Sequence, residues 1–340
     1  MKAAYLSKIN SPLKISNKIK YGDLRTGQVL TKISYSGVCK SQIFEISGGR
    51  DNKKYVPHLL GHEATGVVVK KHKSVKKVKV GDRVILTWLK CKGKQSENPK
   101  YLDGKKIINS GSVTTFNSHS IVSENRILKL PENISLKKGV ILGCAFPTGA
   151  GIILNQIKSR DKKKIAFIGL GGVGVSSLLT ALNFNFNKIY AFERDGRRIN
   201  FLKKNIKTNK KIFFKTPSKF NLIKYQNYFD YVVDSSGSTA GIEFGFKIQN
   251  YNGKLIFASH PHKNSKIKLD PFELIKGKKI YGSWGGGTKY EKISSLIFKY
   301  FKNIKNFEKI FNQKIYPFKK INKAINDLRL NKVLRPIIKV

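Results

Sequence analysis

Three residues of this 340-residue chain are of the types that hold a catalytic metal: Cys39, His62 and Cys144. Two thiolates and one imidazole suit zinc, and three protein ligands leave the fourth tetrahedral position open to water or substrate. Their wide separation in sequence also allows them to be ordinary buried side chains. A second set is more local. Gly169, Gly171 and Gly174 form the pattern GxGxxG directly after the apolar run 165–168, with Val175, Leu178, Leu179 and Leu182 at helical spacing behind it. The first glycine permits a tight turn, the second lets backbone approach a pyrophosphate, and the third lets the helix pack on the strand. The helix start offers free N–H groups and a positive dipole to phosphates. Glu193 ends the next apolar run, 19 residues after Gly174, where a carboxylate can accept hydrogen bonds from both hydroxyls of an adenosine ribose. Strand, turn, helix, strand and acid together predict a dinucleotide site, with Gly172 and Val173 inside the turn.

These residues need a frame. Residues 1 to about 131 lack helical periodicity and show short β-rich runs between glycine turns, at 28–35, 65–69, 83–88 and 120–130, which predict a mostly β module. From 165 onward strands at 165–168, 189–192, 212–214, 229–233, 254–258 and 279–282 alternate with helical stretches at 175–183 and 239–246. That rhythm predicts a parallel, doubly wound α/β sheet. A last β run, 336–340, is expected to return to the first module, so the dinucleotide domain is inserted in the other. The expected boundaries are 1–145, 146–285 and 286–340. Residues 165–182 carry no charge over nearly the length of a bilayer span, but the glycines crowded into their first half argue against a membrane helix.

The formal charge of +47 raises nucleic acid or an acidic membrane as partners. Only ten of the 67 basic residues are arginine, and the lysines run from Lys2 to Lys339 without a concentrated patch. The charge therefore reads as composition drift, and nucleic acid is disfavoured. The opening residues show no apolar export core, and three widely spaced cysteines, an odd number, argue against a disulfide framework. A reducing cytoplasm is expected.

The motifs GVCKS, GHExxG, VGDRV, GCxxxTGxG and GLGGVG stand in the order and approximate spacing of the medium-chain, zinc-dependent alcohol dehydrogenases, which the whole chain resembles. The resemblance implies a GroES-like catalytic domain, a Rossmann domain inserted in it, and hydride transfer between a nicotinamide and an alcohol or aldehyde carbon. It implies that Cys39, His62 and Cys144 hold the catalytic zinc, that Glu63 lies behind the metal, and that Ser41 takes the alcohol's proton. Thr148 and Val173 match residues packing on the nicotinamide, and Lys40 and Arg335 match two basic residues that clamp the pyrophosphate. Trp88 and Phe116 fall at the substrate-pocket wall, and Arg198 matches a position touching the adenosine ribose.

The cofactor expected is NAD, because Glu193 repels a 2′-phosphate. Arg194, Arg197 and Arg198 beside it are the competing consideration. The chain departs from the family pattern in two places. The family's structural zinc lobe has four close cysteines, whereas residues 86–102 contain only Cys91, so one zinc per chain and no structural zinc are expected. Gln42 and Phe44 stand where the family often has an aspartate and a histidine. The first then serves a zinc-bound histidine only as a neutral group, and Phe44 cannot pass a proton. The other histidines, His58, His72, His119, His260 and His262, match no ligand position. A homo-oligomer acting on a small alcohol, polyol or aldehyde is expected. The competing readings are a zinc-free quinone or enoyl reductase relative, which lacks such a triad, and a lysine-rich nucleic-acid-binding protein on a dehydrogenase scaffold.

Overall fold

The computed structural model describes residues 1–50, 53–287, 290–311 and 314–340. The chain divides into two compact units: Met1–Cys144 with Lys289–Glu291 and Asn312–Val340, and Ala145–Thr288 with Lys292–Phe311. The expected return at 286 is thus corrected. Most of the amphipathic helix Tyr290–Lys302 and the short helix Phe307–Ile310 belong to the second unit, and the first resumes only at 312.

The first unit is built on a seven-stranded sheet. Strand Gln28–Gly37 lies at its centre, antiparallel to Glu63–Lys71, His119–Ser123 and Ile337–Lys339. The pairing of Ile337–Lys339 with Tyr35, Ser36 and Gly37 carries out the expected return of the C-terminal run. Val29, Ile33, Ala64, Val68, Val84 and Leu86 form one apolar core of the unit. The β run expected at 120–130 is broken by a 3₁₀ turn at Glu124–Arg126. The buried Glu124 carboxylate there accepts backbone N–H bonds from Lys76, Lys77 and Lys94, tying three segments together. Glu291 accepts from Lys92 N–H at 2.6 Å and pairs with Lys77, so carboxylates organise the segment around Cys91.

One helix interrupts this mostly β region. Lys40–Ile46 is a helix of seven residues, entered from an extended Cys39.

The second unit is a six-stranded, wholly parallel sheet. Its strands stand in the order Ile212–Lys215, Lys188–Phe192, Lys164–Ile168, Phe229–Asp234, Gln249–Phe257, Lys279–Gly282. The central strands read as near-continuous apolar runs because both faces are covered, as a parallel sheet requires. Phe192, Tyr225, Phe229, Val232, Phe246 and Leu255 form the core on one side. Among the described residues no single helix is long and apolar enough to cross a membrane.

Candidate active site

The backbone turns bring three distant donors together. Gly37 ends its strand where a Cβ would lie 2.5 Å from Glu63 Oε1, so only glycine lets the chain pass the acid before Cys39. Gly61, at φ +87°, sets the turn that delivers His62, and a Cβ there would meet Thr115 Oγ1 at 2.4 Å. Cys144 lies between the 3₁₀ turn Val140–Gly143 and helix Ala145–Gly151. The ligating atoms of Cys39, His62 and Cys144 all lie within 4.8 Å of one another. His62 Nε2 is 3.2 Å from Cys144 Sγ, and the opposite ring atom, Nδ1, is 2.7 Å from Gln42 Nε2. Ligands around one tetrahedral zinc stand roughly 3.3–3.8 Å apart, given bonds of about 2.0–2.3 Å. The donor set fits that ion, and the 3.2 Å between His62 and Cys144 lies close to that spacing.

The three donors and the buried Glu63–Arg335 pair shift one another's ionisation. Cys144 shares its hydrogen bond with Cys39, which holds the Cys39 thiol well below its usual range, helped by Arg335 and His62 against the opposing effect of burial. The same bond, with burial, pushes Cys144 well above the thiol range. Burial raises the Glu63 carboxyl, and Arg335 partly offsets it. Burial opposes the Arg335 charge, but Glu63 and the two cysteines outweigh it and hold the guanidinium protonated.

The short helix places the neighbours. Ser41 Oγ is 3.5 Å from His62 Nδ1, and Gln42, fully buried, also accepts the Cys39 N–H at 2.8 Å. Lys40 is exposed and its Nζ donates to Asn331 at 3.1 Å. Arg335, expected to clamp a pyrophosphate, is buried and ion-paired with Glu63, whose other oxygen, Oε2, has no partner. Trp88 is half-buried, its ring 6.5 Å from that of His62 and edge to face with it. Phe116 is corrected from pocket wall to core: it is fully buried with Ala4, Leu6, Val38 and Leu60 and fills the space that Gly61 vacates.

In the second unit the glycine turn behaves as its pattern demands. Gly169 takes φ +77°, and a Cβ there would lie 2.6 Å from Ser236 Cα. One on Gly174 would lie 2.0 Å from Gly169 O. A Cβ on Gly171 would meet nothing within 4 Å, so that glycine serves no packing need of the chain itself and leaves room for a ligand. Helix Gly172–Ala181 starts there with no side-chain cap, and Gly172 and Val173 are half-buried. Glu193, 6% exposed, accepts Leu170 N–H at 2.8 Å and Asp195 N–H at 3.1 Å, and Arg198 stands 3.8 Å from it. The acid is thereby fixed against the turn. Thr148 is buried on the helix that packs against Gly172–Ala181 through Gly149, where a Cβ would be 2.4 Å from Val173 O. These features fit a dinucleotide.

Sequence reasoning missed the pairing of Arg335 with Glu63, 272 residues apart. It also passed over Trp284 and His260, whose rings meet beyond the ends of their strands. No local pattern announces the first. The second was signalled by an apolar tryptophan followed by three glycines.

Comparison with known proteins agrees with this architecture. Residues 25–132 match the family model described as the alcohol dehydrogenase GroES-like domain. The chain is 25% identical over 370 residues to alcohol dehydrogenase class-2 isozyme 2 of Oryctolagus cuniculus, covering 99% of this chain and 97% of that one. It is 25% identical over 373 residues to alcohol dehydrogenase class-3 of Drosophila melanogaster, with the same coverage. The fold matches the crystal structure of an alcohol dehydrogenase zinc-binding domain protein from Burkholderia ambifaria, with a TM-score of 0.88 at 22% identity, over 100% of this chain and 98% of that one. The motifs, the two units and these likenesses lead to one conclusion: residues 25–132 carry the alcohol dehydrogenase GroES-like domain, and the chain resembles the medium-chain alcohol dehydrogenases along its whole length.

Proposed function

We propose that the protein is a zinc-dependent dehydrogenase that moves a hydride between an alcohol or polyol, or the matching aldehyde or ketone, and NAD. The observation that carries this reading is the convergence of Cys39, His62 and Cys144 within 4.8 Å. Those three residues would hold one zinc, which when bound supplies a Lewis acid that lowers the pKa of a hydroxyl. Ser41, on the first turn of the helix that Cys39 opens, takes the substrate proton. Phe44 offers no onward acceptor, so the proton leaves through a ribose hydroxyl and water. Gln42 orients the His62 ring. Glu63 and Arg335 place a neutralised pair behind the two thiolates, keeping the charge of the cluster balanced without exposing it to water. Trp88 walls the substrate beside His62. In the second unit the Gly169–Gly174 turn takes the pyrophosphate, and Glu193 takes the adenosine ribose with Arg198. Thr148 and Val173 pack on the nicotinamide, while the cofactor carries the redox step. A panel of alcohols offered with NAD, followed by nicotinamide absorbance, tests the reading. Alcohol-dependent NAD reduction supports it, and purified, zinc-replete protein that reduces neither NAD nor NADP with any alcohol contradicts it.

A further inference from the structure

Helix Lys40–Ile46 has different neighbours at its two ends. Its first turn sends Ser41 and Gln42 to His62, while Ile43, Ile46 and the capping Ser47 line a cleft of about 470 Å³. The other walls are the segment from Asn10 to Pro12 and the helix Ile321–Arg329, so the cleft lies wholly within the first unit. Its volume falls in the range of small-molecule sites. None of its lining residues serves the metal or dinucleotide contacts assigned above.

The walls are fastened to one another. Asn10, at φ 58°, donates its N–H to Ile46 O at 2.8 Å. The Asn322 amide accepts Leu13 N–H at 2.8 Å and donates to Leu13 O at 3.0 Å, joining segments 309 residues apart. The lining divides by polarity. Ile46 and Ile325, 8% and 3% exposed, form an apolar floor with the half-buried Ile43. Asn322, Ile325, Asn326 and Arg329 recur at i, i+3, i+4 and i+7, which puts all four on one helix face, with Asn326 and Arg329 exposed at the rim. Among the described residues no carboxylate lines the cleft, and the Arg329 guanidinium makes no ion pair or hydrogen bond. The one acid on each helix is engaged elsewhere, Glu45 with Arg50 at 2.9 Å and Asp327 with Tyr316 at 2.7 Å.

We propose that this cleft binds a small monocarboxylate with a short hydrocarbon tail. The tail lies on Ile43, Ile46 and Ile325, and the carboxylate meets Arg329, with the Asn326 amide as a further donor. A planar guanidinium offers a carboxylate two parallel N–H donors, which fixes direction as well as charge. The floor adds to affinity in proportion to the tail area it covers. A ligand of the same length with an ammonium head meets like charge at the rim and gains only the floor. The inference stands independently of the dehydrogenase reading.

Calorimetric titration of the full chain with sodium hexanoate, sodium acetate and hexylammonium chloride, at one ionic strength, tests the site. The proteins compared are the wild type, Arg329→Met, Arg329→Lys, Asn326→Trp and Cys144→Ala. Residues 326 and 329 are exposed, so their substitutions leave the core intact. The wild type binds hexanoate tenfold or more tightly than either acetate or hexylammonium. Arg329→Met weakens hexanoate tenfold or more, Arg329→Lys restores part of the loss, and Asn326→Trp, which sets a large side chain at the rim, weakens it as much. Cys144→Ala binds hexanoate as the wild type does. Hexanoate held no more tightly than acetate overturns the proposal, since it reduces the binding to general attraction of anions to a basic chain. Affinity unchanged within twofold in both Arg329→Met and Asn326→Trp overturns it too. Affinity lost in Cys144→Ala but kept in Arg329→Met puts the carboxylate on the metal cluster and refutes the cleft.

Discussion

Gln42 is hydrogen-bonded to both Cys39 and His62 of the proposed metal site. Its oxygen accepts the Cys39 N–H at 2.8 Å while its nitrogen faces His62 Nδ1 at 2.7 Å, and the whole side chain is buried. A histidine that ligates through Nε2, the atom 3.2 Å from Cys144 Sγ, carries its proton on Nδ1 and needs an acceptor there. One amide oxygen must then serve two donors, or the amide must turn over and leave the Cys39 N–H facing an NH₂. Gln42→Met keeps the volume and removes both partners. A buried donor left unsatisfied costs about 1–3 kcal/mol, and loss of the partner of a ligating histidine weakens metal binding about 10- to 100-fold. We therefore expect zinc affinity to fall by one to two orders of magnitude in Gln42→Met. Gln42→Glu, with two acceptor oxygens for the two donors, should bind zinc more tightly than the wild type. Competition with a fluorescent chelator reads both. Equal affinities in all three proteins would refute the idea that Gln42 orients His62, and a Gln42→Glu variant weaker than Gln42→Met would refute the acceptor argument.

Three other substitutions probe the rest of the account. Ser41→Ala should slow alcohol oxidation by about 10²- to 10⁴-fold with zinc content unchanged; an unaltered rate at neutral pH means the proton leaves elsewhere. Glu193→Ala should weaken NAD and relatively favour NADP, because Arg198 loses its partner at 3.8 Å and becomes available to a phosphate; a wild-type preference for NADP of tenfold or more would show that the arginines decide. Burial pushes the Asp234 carboxyl up to about 6, with Oδ2 unpartnered, so its ionisation opposes folding. It is neutral in both states below the unfolded value of about 4, and the full penalty is in place once the pH has risen through about 6. Denaturant titrations should show wild-type stability falling across that window, and Asp234→Asn should flatten the slope; an unchanged slope would place the titration elsewhere.

The parts of the molecule that were legible are those in which neighbouring residues share one job. The turn from Gly169 to Gly174 follows its strand directly and Glu193 ends the next one, and Gly169 and Gly174 meet steric demands set by the turn itself and by the end of the neighbouring strand. Buried parallel strands announce themselves as unbroken apolar runs. The grouping of Cys39, His62 and Cys144 was visible through the motifs around each residue, not through any relation among the three. Helix Lys40–Ile46 escaped because seven residues give less than two turns of periodicity, and its start is set by contacts of Gln42 with Cys39 and His62. Phe116 looked like a wall and lies in the core, its ring and Thr115 packed against the backbone of Gly61, far from them in sequence. The helix Tyr290–Lys302 reads as amphipathic in sequence, but nothing local says which unit receives its apolar face.

Cys39, His62 and Cys144 are proposed to form the one catalytic metal site of the chain. Metal analysis of a preparation that reduces NAD in the presence of an alcohol tests it most directly, with Cys144→Ala measured beside the wild type. The expected result is one zinc per chain in the wild type and none in Cys144→Ala. Two zincs per chain, an active preparation without zinc, or full zinc retained by Cys144→Ala would contradict it.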